Sequence, residues 1–288
     1  MIEITGEVYE EIKKKVYDHL DMGLPSLAGG ITTEDFMVIS GDSGSGKSTI
    51  ALYMACHVAK YGRKVAIFNL ENSEKVITDE IKKLGFDFDK DFGERDEHGR
   101  HRLIILNDDI NSETSSITMS QIQNVLTYHE PSLIVIDLFN GLLSGQMPNM
   151  IPSLTEKYAI QLRKWCVRNK CLIIVTEQLT KDNKRVTRPM ANDIAGGASL
   201  TRKATIILMI YQYNQQNAEK NLRQEQEVSN YNTANVAELI VRKSNKGLLR
   251  VPTFVYVKKT SGIYGQQGFV ELDDEQRKSY VDYVFGKK

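Results

Sequence analysis

The sequence predicts an α/β protein with a mostly parallel central sheet flanked by helices and a C-terminal β-hairpin. Three observations carry that reading. Strand-like apolar runs at 36–40, 64–70, 102–106, 132–137, 171–176 and 205–211 alternate with helix-like segments that include 47–61, 74–84, 117–129 and 153–169, the pattern of helices packed on both faces of a sheet. Several of the runs are continuously apolar, as strands buried on both faces of a parallel sheet are. The last third changes character: 236–243 and 251–258, joined by a short link containing Gly247, read as a hairpin added to the sheet.

The remaining segments are placed by the same rules. Residues 6–20 set Val8, Ile12, Val16 and Leu20 four apart, on one face of a helix. That face either packs on its own domain or docks in a groove of a neighbouring subunit. The polar segment 86–101 holds His98 and His101 without any known metal-ligand spacing and reads as a solvated loop. The segment 212–235 is rich in Gln and Asn, poor in apolar residues, and reads as a flexible insertion.

Composition narrows the function classes. The chain has 288 residues, one large domain or two small ones, with 41% hydrophobic and 26% charged residues, ordinary for a soluble globular protein. Lys and Arg together number 37, as do Asp and Glu, so global charge announces no nucleic-acid binder and any such surface is a local patch. Cys56, Cys166 and Cys171 lie in apolar or helical contexts and read as reduced core thiols. No stretch is apolar for long enough to span a bilayer, and Glu3, Glu7, Glu10 and Glu11 stand where a signal peptide carries positive charge. A cytoplasmic protein with no membrane partner is expected.

The chemistry is announced by GDSGSGKST, residues Gly41, Asp42, Ser43, Gly44, Ser45, Gly46, Lys47, Ser48 and Thr49, set between a strand-like run and a helix-like run. Its Gly41, Gly46, Lys47 and Ser48 fit the phosphate-loop pattern. Glycines let the backbone curl its N–H groups toward phosphate oxygens, and the following helix aims its positive end at the same oxygens. Lys47 is expected to reach the β- and γ-phosphates, and the Ser48 hydroxyl to ligate Mg2+. The competing reading is a Gly/Ser-rich turn that binds nothing.

A phosphate loop needs a carboxylate for the metal. Asp137 closes an apolar run, which places it at the carboxyl edge of a parallel sheet, where open α/β sheets bind ligands; otherwise it caps a turn. Glu71 directly follows the run 64–70 and suits general-base work beside the phosphates, unless it or Glu74 simply starts the next helix. Gln178 is placed to feel the γ-phosphate, with Glu177 competing for that role. Between 181 and 203, Lys181, Lys184, Arg185, Arg188, Arg202 and Lys203 can neutralise phosphates while Gly196 and Gly197 permit close backbone approach. A basic, glycine-bearing loop at the strand edge of an ATPase suits single-stranded nucleic acid; the alternative is a solvated surface loop.

These pieces, ordered over about residues 20–260, resemble the C-terminal RecA-like ATPase domain of DnaB-type replicative hexameric helicases, of phage or mobile-element kind. The matching segments are GLPSLAGGI, GDSGSGKST, VAIFNLENS, LIVIDLFNGLL, CLIIVTEQLTK, DIAGGASLTRKATIILMIY and LIVRKSNKG. The resemblance implies ATP and Mg2+ as cofactors, with Ser48 and Asp137 at the metal. It implies catalytic roles for Glu71, Lys47, Gln178 and Lys243, and a DNA-binding loop containing Lys181, Lys184, Arg185, Arg188, Gly196 and Gly197. It divides the chain into a linker helix, 1–22, and an ATPase domain, 23–288. One position departs: where the family carries its arginine finger this chain has Asn245, leaving Arg242, Lys243 and Lys246 as candidates to act across a subunit interface. The expected activity is an ATP-dependent translocase on single-stranded DNA, assembled as a ring, with a hexamer expected, and loaded by a separate loader or primase. The alternatives are a RecA- or RadA-like recombination ATPase and a low-turnover ATP-binding regulatory or assembly protein.

Overall fold

The apolar runs pair side by side. The computed structural model describes residues 17–108, 117–180, 188–212, 236–247, 249–259 and 268–285. In chain order its elements are β1 (Phe36–Gly41), α1 (Lys47–Lys60), β2 (Val65–Asn69), α2 (Glu74–Lys83), α3 (Phe88–Phe92), β3 (Leu103–Asn107), α4 (Met119–Tyr128), β4 (Leu133–Asp137) and α5 (Ile151–Asn169). There follow β5 (Leu172–Gln178), α6 (Gly197–Lys203), β6 (Ile206–Tyr211), β7 (Val236–Ser244), β8 (Thr253–Lys259), β9 (Phe269–Glu271) and α7 (Asp274–Phe285). One sheet holds nine strands in the order β3-β2-β4-β5-β1-β6-β7-β8-β9. The pairs from β3 to β6 are parallel and those from β6 to β9 antiparallel, so the expected mostly parallel sheet with an added hairpin is what forms.

Strand alternation divides the core between the two faces. Met37, Ile39, Val65, Ile67, Val135 and Ile174 pack with α1 on one face. Phe36, Val38, Phe68, Ile134, Ile136, Ile173 and Val175 pack with α4 and α5 on the other. Helix α1 buries residues all around its circumference, including Ile50, Leu52, Met54, Cys56 and Val58, because it lies between the sheet and an outer layer made by α2, α3 and the chain before β1. The three cysteines are free and buried. No described helix is long and apolar enough to cross a membrane.

Several local readings are corrected. Of the helix expected over 6–20, only 17–20 falls within the described residues, and that part is extended: Leu20 N–H donates to the Ile31 carbonyl and His19 bridges Thr32. Leu20 and Met22 then enter the main core. The segment 86–101 is not all loop: the Asp87 carboxylate caps α3 by accepting from the N–H groups of Asp89 and Lys90. The basic segment contains α6, started by Gly196 and Gly197 at φ of 79° and 57°. Residues 213–235 lie outside the described residues.

The amino end of the parallel strands is held by Asp35, 1% exposed. Its Oδ2 accepts from the Thr32 N–H at 2.9 Å and the Thr32 hydroxyl at 2.8 Å. Its Oδ1 accepts from the Thr205 hydroxyl at 2.8 Å and pairs with Lys246 Nζ at 3.2 Å. One carboxylate thus ties the chain before β1 to the start of β6 and to the tip of the β7–β8 hairpin. Removing one partner of such a buried pair strands the other, so Asp35→Ala is expected to lose about 3 kcal/mol of stability. Urea unfolding measures this, and a loss below about 1 kcal/mol would mean that the hairpin tip is held by other contacts.

Candidate nucleotide-binding site

β1 ends in a loop that only glycine permits at two points. A Cβ at Gly41 would lie 2.6 Å from Ser45 Oγ and 2.7 Å from the Ile210 carbonyl oxygen. Gly46, at φ 91°, turns the chain into α1, and Ile50 N–H closes the first helical bond to the Gly46 carbonyl at 2.9 Å. The free N–H groups of the first turn face the loop, which makes an anion cradle. Lys47 folds back over it: its ammonium donates to the carbonyls of Gly41 at 3.1 Å and Asp42 at 2.7 Å. Burial pulls the Lys47 ammonium below the usual lysine range, against the opposing pull of Glu71, Asp137, Asp42 and Glu177.

Asp137, at the carboxyl end of β4, is 3% exposed. Its Oδ1 accepts from the Ser48 hydroxyl at 3.0 Å and from the Thr176 hydroxyl. Its Oδ2 has no hydrogen-bond partner among the described residues. Burial raises the carboxyl, while the Thr176 and Ser48 hydroxyls and Lys47 favour its charged form. An unpartnered, buried carboxylate oxygen beside a hydroxyl at the phosphate cradle fits a hard divalent cation such as Mg2+, held in part by phosphate oxygens. Among the described residues no group of three or more His, Cys, Asp or Glu is placed to hold a metal ion by itself.

A cavity of about 420 Å³ opens over the loop, lined by Ser43, Lys47, Ser48, Glu71, Asn72 and Gln178 among others. Glu71 is exposed at its mouth. Partial burial, then Asp137, raise its carboxyl, and Lys47 lowers it. Glu71 is carried on a turn set by Asn69, a side chain that sequence reasoning missed. Asn69 is 1% exposed; its amide donates to the Asn72 carbonyl and to Asn107 Oδ1, and its Oδ1 accepts from Asn72 N–H. An amide ending an apolar strand was the available signal. Gln178 lines the cavity, whereas Glu177, the competing residue, is buried and does not.

A second cavity of about 170 Å³ shares Gly44, Gly46 and Thr49 with the first and is walled by Ile210, Gln212, Ala237, Leu239 and Phe269. It bears no charged side chain. The two cavities flank one loop, with lysine, acid and hydroxyl on one side and apolar walls on the other.

The hairpin and the basic loop carry the other residues that the sequence singled out. β7 runs antiparallel to β6, with Ser244 opposite Ile206, so its tip lies at the amino edge of the parallel strands, away from the cavity of its own chain. Arg242 donates to the Pro189 carbonyl at 3.0 Å. Lys243 donates to the carbonyls of Thr201 and Arg202 at the end of α6, and burial lowers its ammonium. Lys246 pairs with Asp35 and lies 4.6 Å from the Tyr17 ring centre. All three cations proposed to act across an interface are thus engaged within their own chain. Lys181, Lys184 and Arg185 lie outside the described residues. Arg188 is spent on structure: it donates to the fully buried Glu238 at 2.6 Å and lies over the Phe254 ring at 5.0 Å, while the Tyr280 hydroxyl holds the other oxygen of Glu238. The Gln178 carbonyl accepts from Ala195 N–H at 2.8 Å, beside Gly196 and Gly197, so the cavity edge and the glycine pair are one bond apart.

Asp137 also yields a test. Its carboxyl is raised in the folded state, so near neutrality its charge costs stability, and the cost falls as pH drops toward the ordinary carboxylate range. Asp137→Asn is therefore expected to melt higher than the unsubstituted chain at pH 7 without ligand, to lose that advantage in acid, and to lose the extra stabilisation by Mg2+ with nucleotide. Melting curves at both pH values, with and without Mg2+ and ATP, measure this; equal melting of the ligand-free forms at pH 7 would refute it.

A family model described as an AAA domain matches residues 24–184. The DNA repair protein RadA of Aquifex aeolicus is 23% identical over 159 residues, 54% of this chain and 31% of RadA. This chain therefore spans under a third of the length of the curated relative that it matches. A solved DnaB-like replicative helicase, described with its interactions with primase, superposes with a TM-score of 0.63 at 19% identity over 93% of this chain and 67% of that one. A KaiC-like protein from Pyrococcus horikoshii OT3 superposes with a TM-score of 0.61 at 15% identity over 90% of this chain and all of the other. The architecture shared with these structures is the RecA-like P-loop fold.

Proposed function

This chain belongs to the AAA domain family, and on that premise we propose that it is an ATP-dependent translocase of the DnaB helicase type, hydrolysing ATP between subunits of a ring, a hexamer, and moving on single-stranded DNA. The observation that carries the reading is the meeting of Lys47, Ser48, Glu71 and Gln178 around one cavity backed by Asp137, with the Gln178 carbonyl bonded to Ala195 beside the glycine pair. Lys47 would contact the β- and γ-phosphate oxygens, and Ser48 with Asp137 would hold Mg2+, which would supply neutralisation of phosphate charge. Glu71 orients the attacking water. Gln178 contacts the γ-phosphate and passes its presence through Ala195 to the loop that grips DNA. The apolar second cavity takes the uncharged nucleoside end, with Phe269 and Gln212 beside it. The solved DnaB-like helicase, described with its interactions with primase, supports a separate primase as a partner; the ring and work in the cytoplasm during replication belong to the same reading.

A second reading, a low-turnover ATP-binding regulator, is supported by Asn245 at the finger position and by the engagement of Arg242, Lys243 and Lys246 within their own chain. In a related class of enzymes an arginine finger contributes about 10³–10⁵ in rate. The RadA-like alternative, a recombination ATPase, draws on the 23% identity to a DNA repair protein.

ATP hydrolysis with and without single-stranded DNA separates these readings. The translocase reading expects stimulation by the strand and, in Glu71→Gln, retained ATP binding with turnover lost by about 10²-fold or more. Tight binding without stimulated turnover favours the regulator. The basic loop has its own readout. Neutralising Lys184 and Arg185 together is expected to weaken strand binding and to flatten its salt dependence by about 1 to 2 in log–log slope, because fewer counterions are released. An unaltered slope places the strand on another surface.

A further inference from the structure

Glu177 is a buried carboxylate that the proposed mechanism does not use. It is fully buried on β5, on the face opposite Thr176 by strand alternation. Its Oε1 accepts from the Asn140 amide at 2.9 Å and from the N–H of Gln178 at 2.8 Å. Its Oε2 has no partner, and neither has Ser40 Oγ, its in-register neighbour on β1. A half-satisfied buried carboxylate is a poor stabiliser, since an apolar side chain of the same size is as good or better. Its value must lie in what it holds in place.

What it holds is specific. Asn140 sits in the 3₁₀ turn Phe139–Leu143, which follows the metal carboxylate Asp137 in the chain. Gln178 lines the nucleotide cavity. Three successive residues of β5 therefore fix the site from both faces of the sheet. Thr176 holds Asp137 directly, Glu177 holds the turn behind Asp137 and the Gln178 backbone together, and Gln178 enters the cavity. We propose that Glu177 is a positioning residue for ATP hydrolysis, its carboxylate bridging Asn140 and the Gln178 N–H so that the Gln178 side chain keeps its place relative to Asp137. This rests on the ATPase reading. A displacement of about 1 Å in such a group costs on the order of 10²-fold in rate without a matching loss of ground-state affinity.

The bridge has a pH signature. Burial pushes the Glu177 carboxyl up to about 7, against the N–H donors of Gln178 and Asn140 and the charge of Lys47, with Glu71 adding to the rise. The charged form is the better acceptor for both donors, so the bridge weakens as pH falls through about 7.

The test uses the full chain, with ATP turnover and nucleotide affinity measured from pH 6 to 9 for the unsubstituted protein and three variants. Asn140→Ala, at an exposed residue, and Glu177→Ala are each expected to lower kcat about 10-fold or more at pH 8 while nucleotide Kd moves less than about 3-fold. Glu177→Gln, whose amide oxygen still accepts both bonds, recovers most of the turnover lost in Glu177→Ala and abolishes the fall in kcat between pH 8 and 6. Asn140→Ala moves that fall to higher pH, because a donor to the carboxylate is gone. Asn140→Ala matching the unsubstituted chain at every pH overturns the inference alone, as does Glu177→Gln losing as much turnover as Glu177→Ala. No ATP turnover by the unsubstituted chain overturns the ATPase reading, and the inference with it.

Discussion

The site depends on one constraint: the Asp137 carboxylate must be kept charged where there is almost no water. The sheet provides for it from both neighbours in the fold. Ser48, from the first turn of α1, and Thr176, from the adjacent strand β5, donate to the same oxygen, while Lys47 supplies the nearest positive charge. These contacts set the distance between α1 and β4, and hence the shape of the loop from Gly41 to Ser48. The loop geometry is thus not a property of its glycines alone. Gly41 must lack a Cβ because Ser45 crowds it from the loop and Ile210, its in-register partner on β6, crowds it from the sheet.

From that pair the arrangement spreads along β5. Its last three residues point in turn to one face, the other face and the cavity, so a single strand end touches Asp137, the turn behind it and the cavity. The next bonds, Ala195 to the Gln178 carbonyl and Leu179 against Ile194, hand the strand end to the glycine pair that starts α6. Lys243 caps the far end of α6. Motion at the glycines is therefore bounded by a hydrogen-bonded strand end on one side and an anchored helix end on the other.

Much of this was legible in the sequence because burial on both faces leaves continuous apolar runs: each of the eight strands expected falls within two residues of its observed limits. The phosphate loop and Asp137 were legible for the same reason, since each directly ends such a run. What escaped was set by partners distant in sequence. α6 begins with two glycines, and its burial rests on Leu200 alone. β9 spans Phe269–Glu271 only, and among the described side chains of α7 it is Tyr280 that is fully buried. Asn69, Asn140 and Thr176 look like ordinary polar residues at or just past strand ends until the fold sets Asn69 against Asn107, Asn140 against Glu177 and Thr176 against Asp137. The hairpin cations and Arg188 were read as available because local sequence does not show Asp35, Glu238 or the carbonyls of α6 lying opposite them.

The charges of the chain's own residues at the carboxyl edge do not balance. Lys47 feels four acids, Glu71, Asp137, Asp42 and Glu177, and burial raises the carboxyls of Glu71, Asp137 and Glu177. A site built only for stability would carry fewer of them or more cations. On the proposed reading, a nucleotide with its divalent ion would change the balance in two places at once: the ion would answer the unpartnered oxygen of Asp137, and the phosphates would answer the N–H groups of the α1 first turn and the Lys47 ammonium. Binding is thereby linked to folding, with stabilisation growing as RT ln(1 + [L]/Kd). The conflict among these acids is local and sits where rules of chain stability are expected to yield to function. The surrounding sheet, buried on both faces, is what allows it to persist.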